Sequence, residues 1–157
     1  MGHEWGRIAA AASAGTLILT SCATNTDVPA TFAAAVTVTG QASRASAASG
    51  ECTIEKVPVA PNDRVVIDGD SGAAFAMTAL EVDSIDENPD GTGVCTYTAR
   101  FGAIPANQRN YVIWMNYFTG QSFTSDELKN GATYRLCSSA PTDSSHGADV
   151  QDSGCTP

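Results

Sequence analysis

The four residues Asn88-Pro89-Asp90-Gly91, followed at once by an alternating segment, constrain this chain more than any other feature in it. Proline fixes φ at the second position of a turn, aspartate suits the third, and glycine takes the left-handed conformation after it. From Val94 to Phe101 the residues alternate, with Cys95, Tyr97, Ala99 and Phe101 on one side and Thr96, Thr98 and Arg100 on the other. A period of two over that length is a strand with one buried face. The run before the turn, Ala74 to Ile85, carries Phe75, Met77, Leu80 and Val82, and its inward phase changes near Ala79, which predicts a bulge there. A tight turn between two such runs joins them as an antiparallel hairpin.

Further strands are read on either side. Cys52 to Val59 holds Ile54, Val57 and Val59, and Pro58 marks it as an edge. Arg64 to Ile67 is a short β-branched run closed by the turn Asp68-Gly69-Asp70-Ser71-Gly72. Gly102 to Asn110 reads as a loop. Tyr111 to Phe118 is apolar on both faces except at Asn116, the pattern of a central strand covered on both sides. Thr124-Ser125-Asp126-Glu127 has the form of a capping box, with Gly131 as a stop, and predicts one helical turn over residues 125–130. Ala132 to Cys137 is a last strand. About six strands with almost no helix predict an all-β domain, a small antiparallel sandwich of immunoglobulin-like form. A small OB- or SH3-like barrel is the alternative.

The amino-terminal part has a different character. A short polar opening with Arg7 leads into an apolar run, Ile8 to Leu19, which ends in Leu19-Thr20-Ser21-Cys22. A run of about a dozen apolar residues suits the h-region of a secretory signal and is too short to span a bilayer as a helix. In this order of features the chain resembles the bacterial lipoprotein class, and Leu19 to Cys22 is similar to its lipobox. The resemblance implies a signal peptide over residues 1–21 and a diacylglycerol-modified Cys22 as the first mature residue, and such an anchor holds stably. Residues 22–50 are rich in Ala, Thr, Ser and Gly and read as a lipidated flexible tether, with Phe32 to Val38 its one patch of strand character. Residues 51–140 then form the β domain, and 141–157 a polar tail.

Charge and cysteines narrow the setting. Eight basic residues stand against 17 acidic ones, and no Lys/Arg cluster occurs, which argues against nucleic acid as a partner. Of the five cysteines, lipidation of Cys22 leaves Cys52, Cys95, Cys137 and Cys155, an even number in an exported chain. Two disulfides fit better than a zinc site, because no C-x2-C spacing is present. Among three possible pairings, Cys52 with Cys95 and Cys137 with Cys155 is preferred, the second pair stapling the tail.

The sequence offers four candidate chemistries. Asp86, Asn88 and Asp90, with Gly91, match the first half of an EF-type calcium loop, but Tyr97 stands where the closing glutamate belongs. The same residues suit a plain hairpin turn. His146 lies in the polar tail near Asp143 and Asp149, a poor place for a held general base. The acidic stretch Glu81, Asp83, Asp86, Glu87 and Asp90 reads as exposed strand and turn acids before it reads as a glycosidase pair. Trp114 and Tyr117, in the apolar run, are the candidate partner-binding residues.

The mature part also resembles the immunoglobulin-like, telokin-like domain of bacterial lipoproteins. The matching pieces are VVIDG, LEVDSI, YVIWMNYF and ELKNGATYRLC, over roughly residues 63–137. The resemblance implies a final apolar strand that this sequence lacks. Together these readings predict a monomeric lipoprotein at the extracytoplasmic face of the cell membrane, without catalysis or cofactor. It would bind an envelope or exported protein. The alternatives are a phage- or prophage-type superinfection-exclusion lipoprotein and a secreted hydrolase inhibitor.

Overall fold

A computed structural model describes residues 29–70 and 74–137, with the side chains of residues 74 and 75 left aside. The fold is all-β, as the sequence predicts. Among the described residues ten strands and one short helix run in the order β1 (Thr31–Ala42), β2 (Arg44–Ser46), β3 (Glu51–Ile54), β4 (Val57–Val59), β5 (Arg64–Gly69), β6 (Ala74–Glu87), β7 (Gly93–Pro105), β8 (Asn110–Trp114), β9 (Gln121–Thr124), α1 (Ser125–Lys129) and β10 (Thr133–Arg135). Seven strands form one sheet in the order β10-β1-β7-β6-β5-β8-β9, and β2-β3-β4 form a second. Every pairing is antiparallel except that of β1 with β10.

The large sheet bends until its ends meet, forming a nearly closed barrel. Bulges at Phe32/Ala34, Ile67/Asp68 and Val82/Ser84 assist the bend. At the seam, Thr119 N–H donates to the Cys137 carbonyl at 2.8 Å. Gln121 does the rest with its side chain: Nε2 donates to the Arg135 carbonyl at 2.6 Å, and Oε1 accepts from Arg135 N–H at 3.2 Å. One amide side chain thus replaces a rung of backbone ladder. The interior is filled by Val36 and Val38 of β1, Tyr97 and Ala99 of β7, Leu80, Ile67, Ile113 and Tyr134, all almost fully buried. Helix α1 starts at the expected capping box and closes one side with Leu128.

The small sheet lies over the inner face of β1 and β7. Ala45, Cys52, Ile54 and Val59 belong to the same core cluster as the barrel interior. Cys52 of β3 is disulfide-bonded to Cys95 of β7, and Tyr97 donates its hydroxyl to the Gly50 carbonyl at 2.8 Å. Gly40 permits the close approach, since a Cβ there would lie 2.9 Å from the Ile54 side chain and 3.0 Å from Leu136 Cβ. The hairpin over residues 88–91 forms as expected, with Gly91 at φ +80° and Gly91 N–H bonded to the Asn88 carbonyl. Its Gly91 carbonyl also accepts from Ala45 N–H, which docks β2 onto the turn.

Four expectations are corrected. Residues 31–46 are not tether: they build β1 and β2, and β1 is an interior strand with eleven partners along β7. Its small residues read as linker by composition, yet Ala34, Val36 and Val38 are buried where larger neighbours leave only that much room. The bulge in β6 falls between Val82 and Ser84 rather than at Ala79, so Met77 points outward and is 62% exposed. Strand β7 runs on to Pro105 through part of the predicted loop. The apolar run from Tyr111 is a strand only to Trp114, because a turn at Met115–Phe118 interrupts it. The signal residues 1–21 with Cys22, and the tail with His146 and Cys155, lie outside the described residues.

Candidate functional site

Where β8 ends, the chain turns sharply. Phe118 N–H bonds the Met115 carbonyl at 3.2 Å, closing a turn whose central residues are Asn116 and Tyr117. Of the two only Tyr117 has positive φ, +71°, which makes the turn type II. That third position favours glycine or asparagine, because a Cβ there crowds the following carbonyl. Asparagine stands one place too early. Tyr117 is also 79% exposed, so its ring gains nothing from the core in exchange.

Beside this turn lies a cleft of about 140 Å³, lined among others by Val57, Pro58, Asp63, Arg64, Asn116 and Tyr117. Strand β4, the start of β5 and the β8–β9 turn supply these residues. The backbone around it is unusual. The described residues contain four non-glycine residues with positive φ: Glu55, Lys56, Asn62 and Tyr117. Glu55 and Lys56 make the two-residue turn into β4, Asn62 precedes Asp63, and Tyr117 lines the cleft itself. Of the four only Tyr117 lines the cleft, while Glu55 and Lys56 form the two-residue hairpin loop between Ile54 and Val57, where positive φ is the ordinary geometry.

The polar groups of the cleft are unevenly engaged. Asp63 accepts the Ala60 N–H at 2.8 Å. Arg64 is exposed and has no hydrogen-bond or ion-pair partner among the described residues. Lys56, two positions before Pro58, is exposed likewise. Pro58 sits opposite Thr53, whose carbonyl points away from β4 to accept from Ser43 N–H. Pro58 therefore faces the open edge, where it presents no N–H to an incoming strand.

Trp114 continues the site along the outer face of the sheet. It pairs with Val66, which pairs in turn with Met77, so an apolar row crosses β8, β5 and β6. The half-buried indole donates to Asp68 Oδ2 at 2.6 Å, while Asp68 Oδ1 is buried with no partner. Asp70, the other acid of that turn, accepts from Arg109 N–H at 3.0 Å.

The remaining sequence candidates find structural roles. Asp90 Oδ1 accepts both the backbone N–H and the hydroxyl of Thr92, at 3.0 and 2.6 Å, and these bonds lower its pKa. Asn88 donates its side-chain amide to Thr92. With Asp86 exposed on β6, the calcium set Asp86, Asn88 and Asp90 is a turn that bonds to itself. No group of three or more His, Cys, Asp or Glu among the described residues is arranged to hold a metal ion. Glu81 pairs with Arg100 at 3.2 Å, and Glu87 accepts from Ala47 N–H. Cys52 and Cys95 are joined, and Cys137 is also disulfide-bonded, while its expected partner Cys155 lies outside the described residues. Sequence reasoning picked Trp114 and Tyr117 but missed Arg64 and Pro58 as their neighbours. Nothing local marks them, since β4, β5 and the β8–β9 turn meet only in space. Comparison with protein-family models, curated proteins and solved structures finds no match.

Proposed function

We infer that this protein is a lipid-anchored, extracytoplasmic binding module whose cleft beside Tyr117 takes an envelope or exported protein partner. The observation that carries the binding reading is Tyr117, which lines the cleft from a left-handed turn position with its ring 79% exposed. A tyrosine held there costs about 1–3 kcal/mol, and strain of this kind persists where function requires a particular shape. A large aromatic ring held out in solvent is a common anchor of protein interfaces. The bound state would return what the free state forgoes.

The setting rests on the lipobox at Leu19 to Cys22, and the disulfide between Cys52 and Cys95 agrees with an oxidising compartment. Of the acidic stretch, Glu81, Glu87 and Asp90 are engaged by Arg100, Ala47 N–H and Thr92, which favours binding over chemistry as the work of this domain.

Two measurements test the reading. The intact mass of membrane-extracted protein is expected to fit a chain beginning at an acylated Cys22, and an unlipidated mass would remove the anchor. A photoreactive phenylalanine analogue at position 117 is expected to give one discrete adduct in whole cells. The same analogue at exposed Ala103 is expected not to give it, and identical adducts at both positions would sink the binding site.

A further inference from the structure

The connection between α1 and β10 holds a reactive pair of residues that the binding reading does not use. Asn130 is the one asparagine of the chain followed by glycine. Asn88 precedes Pro89, which has no N–H, and Asn62, Asn107, Asn110 and Asn116 each precede a residue whose side chain stands beside its nitrogen. Glycine suits position 131, where φ is +92° just past the helix. Both residues are exposed, and a Cβ at Gly131 would meet nothing within 4 Å, which leaves room for ring closure and for water. The Gly131 N–H bonds the Leu128 carbonyl at 3.4 Å, longer than an ordinary hydrogen bond. Related pairs are better protected. Asp90-Gly91 presents a carboxylate that Thr92 keeps ionised, a poor electrophile, and Gly69 of Asp68-Gly69 is buried in β5.

We propose that Asn130 is a site of spontaneous deamidation and isomerisation that loosens the seam beside β10 as the protein ages. The Gly131 nitrogen bonds to Asn130 Cγ, the Cγ–Nδ2 bond breaks, and ammonia leaves with the proton that Gly131 gives up. Water then opens the cyclic imide at one of its two carbonyls. Opening at Cγ gives aspartate. Opening at the main-chain carbonyl gives isoaspartate, whose backbone runs through Cγ and is longer by that carbon. No electrons are exchanged. The added carbon falls between two fixed points: Leu128 is fully buried, and the Ala132 carbonyl accepts Thr37 N–H at 2.9 Å where β10 begins to pair with β1. Strand β10 has only three residues, and at the seam Arg135 is held by the Gln121 side chain, so little ladder resists a shift at its start.

The test is ageing of the purified full chain in mildly alkaline buffer, with peptide mass mapping and enzymatic methylation of isoaspartate to quantify the product at each asparagine. Asn130 is expected to convert at least about ten-fold faster than Asn107 or Asn110, because no side chain stands beside the attacking nitrogen. Amide exchange in β10 is expected to rise in the isoaspartate fraction and to stay constant in β7. The Asn130→Gln variant, whose imide ring would be larger by an atom, is expected to stay unmodified and to keep the fresh exchange pattern on ageing. Conversion at Asn130 no faster than at Asn107, or seen only when the chain is unfolded in urea, would overturn the site. An isoaspartate fraction with unchanged exchange in β10 would overturn its effect on the seam.

Discussion

The two sides of the barrel are built in different ways. On one side β1, β7 and β6 are 12, 13 and 14 residues long and pair along most of their length. On the other, β8, β9 and β10 have five, four and three residues. The long strands are held by backbone ladder. The short ones are completed by side chains, with Gln121 bonded to Arg135 and the Tyr134 hydroxyl to the Thr119 carbonyl at 3.0 Å. None of the left-handed non-glycine residues lies in the long strands. The contrast teaches that a self-sufficient frame lets the short-stranded side carry the left-handed turn of Tyr117, which lines the cleft. Regions held by few backbone bonds open first.

The largest test of this division is removal of the bond that ties the small sheet to the frame. Changing both Cys52 and Cys95 to Ala opens a link spanning 43 residues and is expected to cost about 4 kcal/mol in urea unfolding. A loss below about 1 kcal/mol would mean that the ladder alone holds the frame. Alkaline pH probes both sides at once. Burial, with the Asp63 and Glu51 carboxylates adding to it, pushes Tyr97 up to about 12, and burial does the same for Tyr134. The unfolded phenol ionises near 10.0, so this contribution to stability is complete below that pH and falls away as pH rises towards about 12. Absorbance titration is expected to show the two phenols ionising together with loss of far-UV signal. Early ionisation of one without unfolding would show that its side opens independently.

Smaller effects sharpen the seam and the turn. Gln121→Ala removes both bonds to Arg135 and is expected to cost about 1 kcal/mol, with amide exchange rising in β9 and β10 and unchanged in β7. Uniform acceleration in all strands would erase the distinction between the two sides. Tyr117→Gly is expected to gain about 0.5–1 kcal/mol, since relief of a left-handed tyrosine outweighs the extra freedom glycine has when unfolded. Thr98→Gly, in the middle of β7, is expected to lose about as much. A Tyr117→Gly variant less stable than the parent would show that the ring packs and is not strained.

How much of this was legible follows the range of the interactions. The hairpin at Asn88 to Gly91, the alternation of β7 and the capping box at Thr124 depend on residues near one another, and each is found where it was read. Strand β1 was hidden, because alanine and threonine at Phe32 to Val38 carry little apolar signal and their burial depends on β7 and β10. Trp114 and Tyr117 could be suspected as aromatics of an apolar run that a missing last strand would leave open on one face. That Tyr117 stands in a left-handed turn, and that Arg64 lines the same cleft, could not.

By itself, then, the sequence determined the all-β class, the central hairpin and the helical cap, since periodicity and turn chemistry act locally, while the count of cysteines left three pairings open. Only the tertiary structure decided that the sheet closes on itself, that the supposed linker is an interior strand, and that three separate segments meet to form the cleft. Those outcomes depend on which small residue finds room beside which large one, and on side chains such as Gln121 meeting backbone from a strand that local sequence does not foretell.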